Sequence, residues 1–363
     1  MNQLLHQIAL KLIPGIGDVL MKNLISYCGG VEEVFKAKKG KLLRVPGIGE
    51  VLATSIVSFK DFDRAELELA FIEKHQIQTF FYLDENYPYR LRDLPDSPCL
   101  LFGIGTLDLN PSRQIGVVGT RKASEYGREF TQQFIADIKP FQVQVVSGLA
   151  QGIDGIAHKA CIENDIPTIG VLAHGLDRIY PYQHQSLAKK MLVNGGLLTE
   201  FLSNTNPDRE NFPKRNRIVA GLSDVLIVPE TAIKGGARIT AEIAHSYNRD
   251  IMAVPGRIND YYSQGCNYLI QENKAALLNS CNDLILAMNW EQKAKTKPTL
   301  NLFNQLTITE QELIVYIRSK VKVHLDTMAF ELNKDPGSLA LQLLELEFNG
   351  FVRSLPGKML ELK

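Results

Sequence analysis

Residues 212–217 read Phe-Pro-Lys-Arg-Asn-Arg, which places an aromatic ring, three cations and an amide within six positions. Charges packed that densely make a poor core, because a buried charge must be paired. The same groups suit a phosphate chain with a base lying alongside. Guanidinium and ammonium groups donate to phosphate oxygens, and a ring offers a flat face for stacking. A short basic run is also what a solvated helix start looks like, so the elements around it have to decide between the two readings.

The 363 residues suggest two or three domains, and 45% hydrophobic content is enough to bury real cores. Lys+Arg and Asp+Glu balance at 40 each, so any contact with nucleic acid has to be local. The five cysteines are far apart with no C-x-x-C pair, which argues against a metal cluster or disulfide framework and fits a reducing compartment. No apolar run reaches membrane length and the N-terminus is too polar for a signal peptide, so the expectation is a cytoplasmic protein.

Residues 1–62 hold an internal repeat. Ile13-Pro14-Gly15-Ile16-Gly17-Asp18 returns as Val45-Pro46-Gly47-Ile48-Gly49-Glu50, each copy between amphipathic helical patterns. Pro-Gly-Ile-Gly is a tight hairpin and resembles the helix-hairpin-helix (SAM-like) unit. Asp18 and Glu50 fall where free helix amides could hold a phosphate and would use those amides themselves. This all-α domain therefore reads as structural or docking rather than DNA-binding. Residues 63–112 read as a helix from Arg64 to Lys74, a strand from Thr79 to Leu83, and a proline-punctuated connector packed on the next domain.

From 113 to 288 short β-branched runs alternate with helical patterns. Strands are expected at Ile115–Val118, Val143–Val146, Thr168–Leu172, Leu197–Glu200, Val225–Val228 and Ile251–Val254, giving an α/β fold with a parallel sheet covered on both faces. Ligands of such sheets sit beyond the strands' carboxyl ends. There lie Gly119-Thr120-Arg121, Ser147-Gly148, and the turn Gly235-Gly236-Ala237-Arg238. Residues 289–306 read as a linker. Residues 307–363 give three helices and a hairpin, a winged-helix pattern whose third helix shows Ser338, Gln342, Glu345 and Glu347, an acidic face unsuited to reading duplex DNA.

Gly116-Val117-Val118-Gly119-Thr120-Arg121 matches neither G-x-G-x-x-G nor a P-loop. Asp154 reads as a helix cap, and His158, His174 and His184 as ordinary histidines without a catalytic partner. The rim supplies amides and arginines but no nucleophile with a base, so no catalytic residue, metal or cofactor is assigned.

Five segments, 116–121 (G-V-V-G-T-R), 147–158 (S-G-L-A-Q-G-I-D-G-I-A-H), 212–224 (F-P-K-R-N-R-I-V-A-G-L-S-D), 238–244 (R-I-T-A-E-I-A) and 253–256 (A-V-P-G), together resemble the DNA-processing protein A (DprA/Smf) family. The resemblance implies an extended Rossmann-like core with the two flanking domains. It implies a homodimeric, non-enzymatic protein of natural transformation that binds single-stranded DNA and loads RecA recombinase while displacing single-strand-binding protein. It carries over Arg121, Ser147, Gly148, Phe212, Arg215, Asn216 and Arg217 as strand contacts. The further expected contacts are Gly119 and Thr120 beside Arg121, Lys214 between the matched positions, and Gly235, Gly236 and Arg238, where many members have a Ser-Gly-Ser-Leu type turn and this chain gains an arginine. Phe212 offers a face for a base or for Arg215. The competing expectation is a phosphoribohydrolase-like, nucleotide-processing enzyme on a related frame, with Glu242 in the catalytic glutamate's place.

Overall fold

The computed structural model describes residues 3–290, 307–320, 322–348, 351–355 and 357–362. Residues Met1–Gln292 form one compact unit and Lys293–Lys363 a second. The expected linker, 289–306, lies almost wholly outside the described residues.

Alternating apolar runs and helices build a nine-stranded sheet. Its strands are β1 (Gln78–Phe81), β2 (Leu100–Gly105), β3 (Gln114–Val117), β4 (Gln144–Gly148), β5 (Thr168–Val171), β6 (Gly195–Thr199), β7 (Val225–Val228), β8 (Asp250–Ala253) and β9 (Ala276–Leu277). The order is β1-β2-β6-β5-β4-β3-β7-β8-β9. From β6 to β9 every pairing is parallel. Neighbouring residues of one strand face opposite cores. Val146 and Leu226 join one core with Ile218 and Ala241, while Val145 and Ile227 join the other with Phe134 and Ala157. Burial on both sides is why these strands read as continuous apolar runs.

The connector differs from expectation. Beyond its proline-punctuated run, 87–98, Leu100–Gly105 forms an unexpected strand, β2, paired antiparallel to β6 and carrying β1 on its outer edge. The strand begins just past Pro98, where the prolines stop removing donors from the backbone.

The N-terminal repeat forms two hairpins of the same shape. Gly15 and Gly47 both have φ of +85°, and a Cβ on either would come within 3 Å of a leucine from the other copy, Leu52 and Leu20 respectively. Their surroundings differ. Glu50 is exposed and pairs with Lys39. Asp18 does not cap its own helix, as expected of it, but reaches the sheet unit. Its Oδ1 accepts from the Cys99 amide at 2.9 Å and its Oδ2 from Arg217 at 3.0 Å. Arg217 also binds Glu200 and donates to the Asp96 carbonyl. Ile13, Ile16, Val45 and Ile48 share a core with Phe81, Leu100 and Phe102. Burial alone would push the Asp18 carboxyl up, but Lys11 and Arg217 reverse this and hold it below its usual value.

The second unit is a winged helix: helices Ile308–Lys320, Leu325–Glu331 and Pro336–Phe348, with a sheet of β10 (Lys322–His324), β11 (Val352–Leu355) and β12 (Met359–Leu362) in the order β10-β12-β11. Asp335 caps the third helix through the Ser338 amide at 2.9 Å, and Leu339, Leu343 and Leu346 face its core. Glu347 turns to the hairpin, accepting from the Ser354 amide and hydroxyl.

Replacing Arg217 with Met leaves Asp18 and Glu200 without their shared cation. Breaking such a buried pair costs on the order of 3 kcal/mol. The urea midpoint of Arg217→Met is expected to fall accordingly. A change no larger than an ordinary surface substitution, within about 0.5 kcal/mol, would show that this cluster does not hold the hairpins to the sheet.

Candidate functional site

The sheet's connections run one way from β3 to β6 and the other way from β7 to β9, so the helices after β3 and β7 pack on opposite faces of the sheet. A crevice opens at such a switch point. Here it is a cleft of about 710 Å³ at the carboxyl ends of the strands. The loop after β3 contributes Gly119, Thr120 and Arg121, β4 contributes Gly148, and the loop after β7 contributes Gly235 and Gly236. Phe212, Arg215 and Asn216 project into it from the Asn211–Leu222 helix. Nine of the thirteen expected contacts therefore line one surface.

Backbone bonds lock the two loops together. The Thr120 amide donates to the Glu230 carbonyl at 2.8 Å, and the buried Glu230 carboxylate accepts from the Ser124 amide at 2.9 Å and from the Ser124 hydroxyl. Ser124 in turn caps the Glu125–Ile138 helix through Gly127.

Arg215 is the buried charge of the site, 6% exposed. It donates to the Val171 carbonyl at 2.6 Å and to Asn216 Oδ1 at 3.1 Å. A Cβ on Gly148 would lie 2.2 Å from its Nη1 and 2.5 Å from Asp154 Oδ2, so only glycine leaves room for both groups. Burial presses the Arg215 pKa down, Asp154 opposes this, and Arg121 adds to it. A guanidinium stays charged regardless. Burial pushes Asp154 up, with Arg215 opposing. Asp154 is not the helix cap expected of it, since Gly152 holds that position.

The stacking partner also differs from expectation. Arg121, not Arg215, lies over Phe212, 5.1 Å from the ring centre, and Tyr180 meets the same ring edge-on at 6.2 Å. A smaller pocket of about 370 Å³ opens beside Phe212, lined by Tyr180, Tyr182, His174 and Leu172.

Four expected contacts lie elsewhere. Ser147 is fully buried and its hydroxyl donates to the Val117 carbonyl. Lys214 is exposed outside the cleft, on the side where its charge acts on Glu200. Arg217 is committed to Asp18, Glu200 and Asp96. Arg238 pairs with Glu242 at 3.3 Å and lies over Tyr268. Residues not singled out from sequence complete the cleft: Arg209, Lys234, Tyr180, Tyr261 and Tyr262. They come from separate loops, and no local motif joins them. Among the described residues Arg121, Arg209 and Lys234 have no hydrogen-bond or ion-pair partner.

A family model described as DNA recombination-mediator protein A matches residues 78–289, and one described as the DprA winged helix domain matches residues 305–358. Protein Smf from Escherichia coli is 33% identical over 313 residues, 84% of this chain and 83% of the relative. The chain belongs to the DprA/Smf family. The family's role is DNA processing and recombination mediation. The solved DNA processing protein A of Streptococcus pneumoniae is similar at 30% identity and a TM-score of 0.67, over 80% of this chain and 99% of that one. A structure reported for the single-stranded DNA binding mode of DNA processing protein A from Helicobacter pylori is similar at 28% identity and a TM-score of 0.54, over 60% of this chain and 98% of that one.

Burial lowers the pKa of His174 and of His158, and both are held by hydrogen bonds. His174 lies within 2.8 Å of the Gly175 carbonyl and accepts from the Tyr180 amide. His158 bridges the Thr168 hydroxyl and the Gly148 carbonyl at 2.7 and 2.6 Å, and burial lowers its pKa to about 4. Glu242, the glutamate of the hydrolase reading, is held by Lys274 at 2.9 Å and by Arg238 and does not line the cleft. The His158 shift has a definite sign. As pH falls below the unfolded value near 6.5, the unfolded chain takes up a proton that the folded chain refuses until about 4. Stability therefore drops across that window. Urea midpoints of His158→Gln are expected to lose this part of the slope, and an unchanged slope would mean that His158 is not buried neutral.

Proposed function

We propose that this chain binds single-stranded DNA in the cleft and acts as a recombination mediator, loading RecA recombinase onto the strand and displacing single-strand-binding protein during natural transformation. The observation that carries the reading is that the cleft sets cations without a hydrogen-bond or ion-pair partner among the described residues, Arg121, Arg209 and Lys234, beside the rings of Tyr180, Phe212, Tyr261 and Tyr262. Cations along a groove track phosphates, and rings inside it stack on bases. Only unpaired bases can enter to stack. A net charge of zero also argues against broad electrostatic grip on duplex. The Helicobacter pylori relative, reported in a single-strand binding mode, supports the same choice.

The amides at the start of the Gly236–Ser246 helix add donors where Gly235 and Gly236 line the cleft. With Arg217 and Arg238 committed elsewhere, the strand contacts proposed are Gly119, Thr120, Arg121, Gly148, Phe212, Arg215, Asn216, Gly235 and Gly236. A homodimer in the cytoplasm fits this mode, because two clefts on one strand raise avidity without any new contact. We assign the chain no enzymatic activity. The arginines and amides of the cleft bind anions, and the nearby histidines are held by hydrogen bonds.

Fluorescence anisotropy with a labelled oligo(dT) separates the two kinds of contact. Arg121→Ala is expected to weaken binding and lower the log–log salt slope by about 0.7, the value of one phosphate contact on a single strand. Phe212→Ala is expected to cost about 1–3 kcal/mol, the value of a stacked base, with the slope unchanged. If neither variant alters binding, the strand lies elsewhere. For the mediator role, RecA filament formation on strand coated with single-strand-binding protein is expected to shorten its lag when the protein is added. A lag unaffected by a protein that still binds the strand would rule out loading.

A further inference from the structure

Arg121 also borders a second cleft, whose lining does not include Phe212. This cleft, of about 430 Å³, is lined by Lys122, Arg128, Lys159 and His184 and by the backbone of Gly152 and Gly155. Lys122 continues the turn after Arg121. Arg128 stands on the first turn of the Glu125–Ile138 helix and Lys159 on the Ile153–Glu163 helix packed beside it. Among the described residues no carboxylate lines it. Lys122 and Arg128 have no hydrogen-bond or ion-pair partner among the described residues through their side chains. Lys159 has only the exposed Glu163, at 3.8 Å, and a surface pair of that kind contributes little.

In a chain with 40 cations and 40 anions, unpaired cations lining one concavity are a local departure from the average. The floor is firm. A Cβ on Gly152 would lie 2.2 Å from the Thr120 carbonyl, so the turn carrying Arg121 and Lys122 is pressed against the start of the Ile153–Glu163 helix. The Ile153 amide donates to the same carbonyl at 3.1 Å.

We propose that this cleft is a second phosphate-binding site for the same single strand, which crosses the ridge made by Arg121 and continues over the starts of these two helices. The inference rests on the reading of the first cleft as the strand's principal site. The division of labour follows from the linings. The first cleft has four rings that stack on bases. The second has cations, glycine backbone, Ala123, Gln151 and Ile156, with no Phe, Tyr or Trp among the described residues, and its one ring, His184, is held at the Leu149 carbonyl at 3.1 Å. It therefore holds the phosphodiester backbone alone, without regard to sequence and with strong dependence on salt. Arg121 belongs to both linings, so the two clefts adjoin at that residue.

The test uses the full chain and an oligo(dT) ladder from about 6 to about 30 nucleotides, spanning the site sizes common for single-strand binders. The variants are Lys122→Ala/Arg128→Ala and the charge-keeping Lys122→Arg/Arg128→Lys. The alanine pair is expected to lose about tenfold on the longest strand. Its salt slope there should fall by about 1.4, two single-strand phosphate contacts, while the shortest oligonucleotide binds as before. The charge-keeping pair is expected to restore the long-strand affinity.

Equal losses on short and long strands, or no loss on either, overturn the proposal. Competition with inorganic phosphate and thymidine monophosphate separates a strand path from a small-anion site. If the alanine pair abolishes binding of those anions yet keeps long-strand affinity, the cleft serves a free anion and the path is wrong. Failure of the underlying reading shows differently: the unsubstituted chain then binds no oligonucleotide, or binds it with Arg121 and Phe212 both dispensable.

Discussion

Arg215 is a full charge held at the carboxyl ends of a parallel sheet, with only 6% of its surface exposed. That is costly unless the charge is hydrogen-bonded and balanced. The fold meets the demand with the Val171 carbonyl at the end of β5, the neighbouring Asn216 amide oxygen and the Asp154 carboxylate nearby. The balance is incomplete, because Arg121 stands close enough to press on the same guanidinium. An anion that settles between the two arginines relieves that pressure, and a phosphate fits the role. Gly148 is tied to this constraint, since any side chain there would meet Arg215 and Asp154 together. Phe212 lies one helical turn earlier, so the helix that buries Arg215 also sets the ring at the cleft's wall.

The other half of the site is held by the loops themselves. Glu230, beyond β7, fixes the turn beyond β3 through Thr120 and Ser124. Loops joined in this way keep the arginine and the ring in register without support from a ligand. The N-terminal hairpins are tied in by a different device. Asp18 of the first hairpin is spent on Cys99 and Arg217, whereas the matching Glu50 of the second faces solvent. Two copies of one motif thus serve different ends, and the first acts as a docking peg.

Much of this was legible in the sequence. Glycine turns after apolar runs mark the carboxyl rim, and the rim's position follows from the parallel sheet. Gly119, Arg121, Gly148, Phe212 and Arg215 were therefore recognisable as neighbours. Helix geometry explains why some of the expected contacts lie outside the cleft. Arg215 and Arg217 are two residues apart and so point about 200° apart around the helix; one faces the cleft and the other the Asp18 cluster. Arg238 is likewise turned toward Glu242. Tyr180, Arg209, Lys234 and Tyr261 could not be found by motif, because loops distant in sequence bring them together. β2 was missed because the prolines before it mask a strand that adds to the sheet antiparallel.

The central claim is that a single strand lies in the cleft at the switch point, and photo-crosslinking tests it most directly. A single strand carrying 5-iodouracil would be irradiated with the full-length protein and the adducts mapped by mass spectrometry. The account predicts adducts on Phe212, Tyr180 or Tyr261, suppressed by excess unlabelled single strand and spared by excess duplex. Adducts confined to the N-terminal hairpins or to the winged helix would contradict it.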